Sequence, residues 1–261
     1  MKKKQAPLIL LGGGLVLIFV AVASALFLIG NGGDDDDDKD AVKEETPSAS
    51  TEGTQGGPEK VSSLPASKYN LLVEEFPENY EVDVPNTFAL NISQFEASYW
   101  FKSGEEGRKL ALEWKTLDAF QALFQPTGLD ADLLRGEAFV TAETYLFADA
   151  ASAEKAWAYY DNVLKNSRGS DPVEAKGLAN DSSAYRYIEG TVGTSDVVQV
   201  FHRFSFRRGN TIVSVQTTGG QPFYNIDTAR RFAVIIDNKL LGTRPAVEPT
   251  AIPTPGFGLG N

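Results

Sequence analysis

The sequence contains no cysteine. That excludes disulfides, thiolate metal sites, a cysteine nucleophile and lipidation at an N-terminal cysteine. Any tether to a membrane must therefore be the peptide itself. Histidine occurs once, as His202, so the common zinc sites built from histidine and cysteine are excluded as well. The chain has no Gly-x-Ser-x-Gly elbow, no Gly-x-x-x-x-Gly-Lys phosphate cradle and no dinucleotide fingerprint. Basic residues are the minority, 24 Lys and Arg against 35 Asp and Glu, for a net charge of −11. No basic surface suited to nucleic acid follows from such a balance. Neither a nucleic-acid partner nor a cofactor is expected.

What is present is strongly partitioned along the chain. Residues 1–5 are a basic end carrying Lys2, Lys3 and Lys4, and an uncharged apolar run follows from Ala6 to Ile29. At 1.5 Å per residue such a run is long enough to cross a hydrocarbon core of about 30 Å. A transmembrane helix over 6–30 is expected, with the lysines on the cytoplasmic side. Ala23-Ser24-Ala25 resembles a signal-peptide cleavage site. However, the apolar run is longer than the ~7–15 residues of a signal peptide and continues past that site. Residues 31–63 follow as an acidic linker that includes Asp34 to Asp38. Such a composition cannot bury enough apolar surface to fold, and it reads as a solvated spacer. At the other end, 245–261 is a Pro- and Gly-rich tail. The remainder, 64–244, is long enough to bury one full core outside the cytoplasm.

Within 64–244 the patterning predicts alternating helices and strands. Ser93 and Glu96 have capping-box spacing for a helix to about Phe101, and Gly104 and Gly107 weaken any extension of it. Leu112, Trp114, Phe120, Ala122 and Phe124 fall at even positions and predict an irregular strand over 112–124. One helical turn is expected over 130–134. In the strand predicted over 139–147, Phe139, Tyr145 and Phe147 point one way, and Val140, Ala142 and Leu146 the other. Asp149 caps a predicted helix over 151–165, with Ala153, Ala156, Trp157, Tyr160 and Leu164 at helical spacing. Strands are then expected over 173–176, 183–188, 197–206 and 211–217, with Arg208-Gly209-Asn210 as the turn between the last two. Asp227 is expected to cap a final helix over 227–240, ended by Gly242, with Phe232, Ile235 or Ile236, and Leu240 inward. This order argues an α+β fold, an antiparallel sheet with helices packed on it.

Candidate chemistry is sparse. His202 lies mid-strand, where a buried or half-exposed sheet histidine is the commoner case than a general base or metal ligand. Glu105 with Glu106, or Glu113 with Asp118, could be proposed as paired carboxylates for glycoside hydrolysis. With so many acids chance pairs are expected, and solvated surface groups are the commoner reading. Arg203, Arg207 and Arg208 could meet an anion, or serve as strand-edge charges against sheet pairing. Trp100, Trp114, Trp157, Tyr159, Tyr160, Tyr185 and Tyr187 could line a ligand cavity or fill a sheet-on-helix core. No catalytic residue and no metal ligand is assigned.

The stretches Leu71-Leu-Val-Glu-Glu-Phe-Pro-Glu-Asn-Tyr80, Tyr145-Leu-Phe-Ala-Asp-Ala-Ala-Ser-Ala-Glu-Lys-Ala156 and Phe206-Arg-Arg-Gly-Asn-Thr-Ile-Val213 resemble segments of uncharacterised bacterial cell-envelope proteins. The chain departs from that pattern at Phe76 and Asn79, where leucine and glycine are usual. It is also similar to PsbP-like lipoproteins and to the extracellular sensor domains of some bacterial kinases. The resemblance implies an α+β domain that binds a small molecule or an envelope protein. A non-enzymatic, membrane-anchored binding or sensor-like role is the leading expectation. A carboxylate-dependent envelope hydrolase and a scaffold of an envelope complex are the alternatives.

Overall fold

The computed structural model describes residues 62–90, 100–127, 139–191, 196–221 and 225–250. The chain divides into two units, Met1–Ser48 and Ala49–Asn261, and every described residue belongs to the second. The expected membrane span, most of the linker, the helix start at Ser93, the turn over 130–134 and most of the tail lie outside the described residues. Among the described residues, no helix is long and apolar enough to cross a membrane.

The described strands are β1 (Tyr80–Val82), β2 (Phe88–Ala89), β3 (Thr116–Pro126), β4 (Phe139–Phe147), β5 (Asp171–Pro172), β6 (Asp181–Thr191), β7 (Val198–Arg208) and β8 (Thr211–Gly220). They form one antiparallel sheet in the order β1-β3-β4-β8-β7-β6-β5, with β2 also paired to β3. Among the described residues three α-helices, α1 (Gly104–Glu113), α2 (Ala150–Lys165) and α3 (Ile226–Leu241), pack on it. The α+β architecture expected from the sequence is thus observed.

The sheet is covered on both faces, and β4 shows why. A strand whose two faces are both apolar needs a cover on each. Val140, Ala142 and Leu146 join a core with Phe232, Ala233, Ile236 and Leu240 of α3. Tyr145 and Phe147 join a second core with Ala153, Ala156, Trp157, Tyr160 and Leu164 of α2. Those five α2 residues are the ones the helical spacing singled out. Asp149 caps α2 as expected, its carboxylate accepting from the Ser152 amide at 2.7 Å. The Gly209-Asn210 turn joins β7 to β8 with Gly209 at φ 53° and Asn210 on the ordinary side. That combination fits a two-residue turn with glycine first.

Several expectations are corrected. The strand expected over 112–124 is instead the end of α1 followed by β3. Local capping outweighs the two glycines: the Ser103 hydroxyl accepts from the Glu106 amide, and the Glu106 carboxylate accepts from the Lys102 amide. Leu112 consequently lies on the exposed side of a helix, and Trp114 turns inward as its C-cap. The strand expected over 173–176 is reduced to Asp171–Pro172, since only the Val173 amide reaches β6, at Ala184. The cap of α3 is Asn225, whose side chain accepts from the Asp227 amide, and not Asp227 itself.

The segment before β1 closes the α3 face. Phe76 stacks on Phe124 at 4.3 Å and on Phe232 at 4.6 Å between ring centroids. Asn70 is buried and donates to the carbonyls of Ala142 (3.0 Å) and Phe120 (3.4 Å). Lys239 of α3 donates to the Asn70 carbonyl and to Glu75. Asn210 receives the Ser62 amide at 2.7 Å and donates to the carbonyls of Ser62 and Phe147.

Candidate functional site

The two faces of the sheet differ in chemistry at its centre. On the α3 face, Phe120, Ala122 and Phe124 of β3 and Val213 and Val215 of β8 lie alongside Phe204 and Phe206 of β7. This is an ordinary apolar core. On the α2 face the same strands present a polar row. Gln121 stands opposite Glu143, Glu143 opposite Ser214, Ser214 opposite Ser205, and Ser205 opposite Ser183. The row crosses five neighbouring strands, and Glu143, Ser205 and Ser214 are each at most 3% exposed.

A second polar row lies beside it, with Arg203 opposite Gln216 and Gln216 opposite Thr141. The Arg203 guanidinium donates twice to the Gln216 side-chain oxygen, at 3.1 and 2.8 Å, and lies 5.2 Å from the Trp100 ring centroid. Ser205 and Ser214 share a hydrogen bond of 2.9 Å between their hydroxyls. A carboxylate and a guanidinium are thus buried on one face of a sheet interior. Such groups cost stability when withdrawn from water, and an all-apolar filling of similar shape is commonly as stable or more so.

The aromatic residues form the roof. All seven aromatic positions singled out in the sequence gather on the α2 face. Tyr160 of α2 is in contact with Trp100 (4.5 Å), Trp114 (5.6 Å) and Tyr145 (5.6 Å) between ring centroids. Trp100 donates its indole N–H to the Tyr145 hydroxyl at 2.9 Å, and the Tyr159 hydroxyl donates to the Trp100 carbonyl. These rings pack against each other as a core does. Polar atoms are nevertheless left over: the hydroxyls of Tyr160, Tyr187, Ser183 and Ser170 are buried without a protein partner. Burial and the nearby Glu143 charge push the Tyr160 hydroxyl well above its ordinary pKa, so it stays protonated. The Tyr159 hydroxyl is pushed up to about 12, by burial first and then by Glu106.

Glu143, Ser205 and Ser214 were not singled out in the sequence, although a signal for them exists there. The β4 face that begins with Phe139 and ends with Tyr145 and Phe147 is interrupted by Thr141 and Glu143. In β7 the face opposite His202 reads Arg203, Ser205, Arg207. Three strands with polar residues at the middle of one face announce a polar patch only after the register has brought them side by side.

The remaining sequence candidates are dispersed. β7 lies inside the sheet between β8 and β6, so its arginines are not edge charges. Arg207 pairs with Asp181 at 2.5 Å, and Arg208 pairs with Asp237 across to α3 and donates to the Leu178 carbonyl. Glu105 is exposed, Glu106 serves as a helix cap, and the Asp118 carboxylate accepts from the Ala66 amide at 2.8 Å. Glu105 and Glu106 line one open surface hollow together with Lys102, Ser103 and Lys109. No group of three metal-ligating side chains is present among the described residues. His202 is buried on the α3 face, at 5% exposure, with Nδ1 lacking a partner. Burial, assisted by the Arg186 charge, pushes its pKa down to about 4, so the imidazole is neutral at pH 7. A separate half-open groove of about 130 Å³ lies at the β1–β3 edge, lined by Leu72, Val73, Val82, Val84 and Phe124 among others.

No family model and no curated protein matches the chain. Among solved structures, the extracellular domain of PknH from Mycobacterium tuberculosis is weakly similar, with a TM-score of 0.35 and 13% identity. The match covers 62% of this chain and 82% of that one. An uncharacterised protein from Mycobacterium smegmatis, an Rv0999 ortholog, gives a TM-score of 0.27 and 11% identity over 66% of this chain and 97% of that one.

Proposed function

We propose that the chain is a membrane-anchored, extracytoplasmic binding domain, non-enzymatic and sensor-like, whose ligand is met by the polar face of the sheet beneath α2. The observation that carries this reading is the polar row Gln121–Glu143–Ser214–Ser205–Ser183, buried at its three central residues. A fold that needed only stability would fill this face as it fills the other, with alanine, valine and phenylalanine. Five polar side chains in line, beside the Tyr160 and Tyr187 hydroxyls that lack a protein partner, suit a small polar ligand that accepts and donates hydrogen bonds. The apolar run over 6–29 and the acidic spacer after it support the anchored, outward placement.

The test is native mass spectrometry of the full chain, purified from the host that exports it and compared with its denatured mass. A reproducible excess of a few hundred daltons is expected, and it should be lost in Ser205→Val/Ser214→Val. Absence of any excess, or an excess that the double variant retains in full, would count against binding at this face. An excess equal to a second protein chain would instead favour the scaffold alternative.

A further inference from the structure

The α3 face also carries a polar row, at the side chains of Arg186, His202 and Thr217. Arg186 of β6 stands opposite His202 of β7, and His202 stands opposite Thr217 of β8. Beyond Thr217 the row ends at Val140 of β4, and on the other side Arg186 stands opposite Asp171 of β5. Each of the three holds a buried polar atom with no hydrogen-bond partner in the protein: Arg186 Nε, His202 Nδ1 and Thr217 Oγ1. His202 and Thr217 are 5% and 1% exposed, and although the Arg186 side chain is 35% exposed its Nε is buried, so bulk water does not supply what is missing. Three orphaned atoms on directly adjacent residues are far from the usual condition of buried polar groups. A single occupant accounts for all three.

The chemistry of that occupant follows from the three atoms. Arg186 Nε can only donate, and its positive charge repels a cation. The Thr217 hydroxyl donates or accepts, and so does a neutral imidazole nitrogen, according to tautomer. Asp171 takes the Nη2 end of Arg186 from the neighbouring β5, which leaves the Nε–H directed elsewhere. An acceptor carrying negative charge is a partner that all three can serve at once, and its charge-assisted bond to Arg186 would be stronger than the one a water makes. Strands lie about 4.8 Å apart, so three side chains on adjacent strands span about 10 Å and admit a group of only a few atoms.

We propose that Arg186, His202 and Thr217 form a site for a small oxyanion, of the size of a carboxylate or inorganic phosphate. The site lies on the opposite face of the sheet from the polar row under α2, and either can fail without the other.

His202 is the single histidine of the chain, so it gives one imidazole signal in a spectrum of histidine-labelled protein. The full chain in detergent, with ¹⁵N-labelled histidine, is titrated at pH 7 with acetate and separately with inorganic phosphate, at ionic strength held constant with chloride. A saturable shift of the Nδ1 resonance is expected with at least one of the two. Thr217→Val, which keeps the shape, and Arg186→Gln should each weaken the apparent affinity tenfold or more, while Thr217→Ser should restore it. Circular dichroism of each variant confirms that it is folded. No shift with either anion, a shift that fails to saturate, or a saturable shift that both variants leave unchanged would overturn the site and leave buried water as the occupant.

Discussion

Replacing Lys239 by methionine tests whether the segment before β1 is held by a buried ion pair. Lys239 has 1% of its side chain exposed and Glu75 has 5%. The ammonium donates to the Asn70 carbonyl at 2.6 Å and to Glu75 at 3.0 Å. Burial lowers the Lys239 pKa, and the Glu75 charge opposes that shift. Lys239→Met keeps the apolar stem and removes the charge. Glu75 is then left with the Leu72 amide and the half-exposed Arg244, and the Asn70 carbonyl loses its donor. Breaking one side of a buried pair costs about 3–5 kcal/mol, and the retained Arg244 places this case near about 3 kcal/mol. For a fold of this size that corresponds to a fall in Tm of about 6–12 °C. Glu75→Leu/Lys239→Met removes both charges and should recover most of the loss. Urea unfolding at pH 7, followed by far-ultraviolet circular dichroism and tryptophan fluorescence, measures both variants. A Lys239→Met loss below about 1 kcal/mol would refute the reasoning, because ordinary surface changes already reach about half that. A double variant as unstable as the sum of its single changes would refute it too.

Asn210→Ala should cost about 2–3 kcal/mol, since it removes a buried side chain that makes three hydrogen bonds to Ser62 and Phe147. Amide exchange at Ser62 should accelerate well before global unfolding, and unchanged protection there would contradict the assignment. His202 should make stability depend on pH. Its folded pKa, about 4, lies below the unfolded value near 6.5, so between these values the unfolded chain binds the extra proton. The contribution is fully present above about pH 6.5 and declines as pH falls towards 4. The stability difference between the parent and His202→Phe should therefore move in the variant's favour across that window in parallel chemical denaturations, and a flat difference would show that His202 is not held neutral by the fold. Tyr160→Phe deletes a buried hydroxyl without a partner. It should leave stability unchanged or raise it by up to about 1 kcal/mol, while reducing the bound mass in the native spectrum if the polar face is the binding site.

Much of the fold was legible along the chain because it rests on short-range signals. The helix after Asp149 follows from one cap and five residues at helical spacing. The β7–β8 hairpin follows from Gly209-Asn210 between two strong strands, and Gly242 marks the end of α3. The miss at α1 has a local cause: Ser103 and Glu106 cap a helix that Gly104, Gly107 and an accidental alternation of apolar residues from Leu112 to Phe124 concealed. The arginines of β7 were misplaced because a strand's position in the sheet, edge or centre, is a property of pairing order and has no mark in the strand itself.

The sequence by itself determined the absences and the local elements: no thiol chemistry, one histidine, an apolar run and acidic spacer ahead of the fold, and the alternations that make β4, β7 and β8. Only the tertiary structure decided that the sheet is covered on both faces and that β7 is interior. Only the register, moreover, could bring Glu143, Ser214 and Ser205 into one row and Arg186, His202 and Thr217 into another. The reason is physical. Periodicity depends on neighbours within a turn or a pleat, whereas a site depends on which distant strands pair and in what register. A shift of one residue in that register would move every one of these side chains to the opposite face.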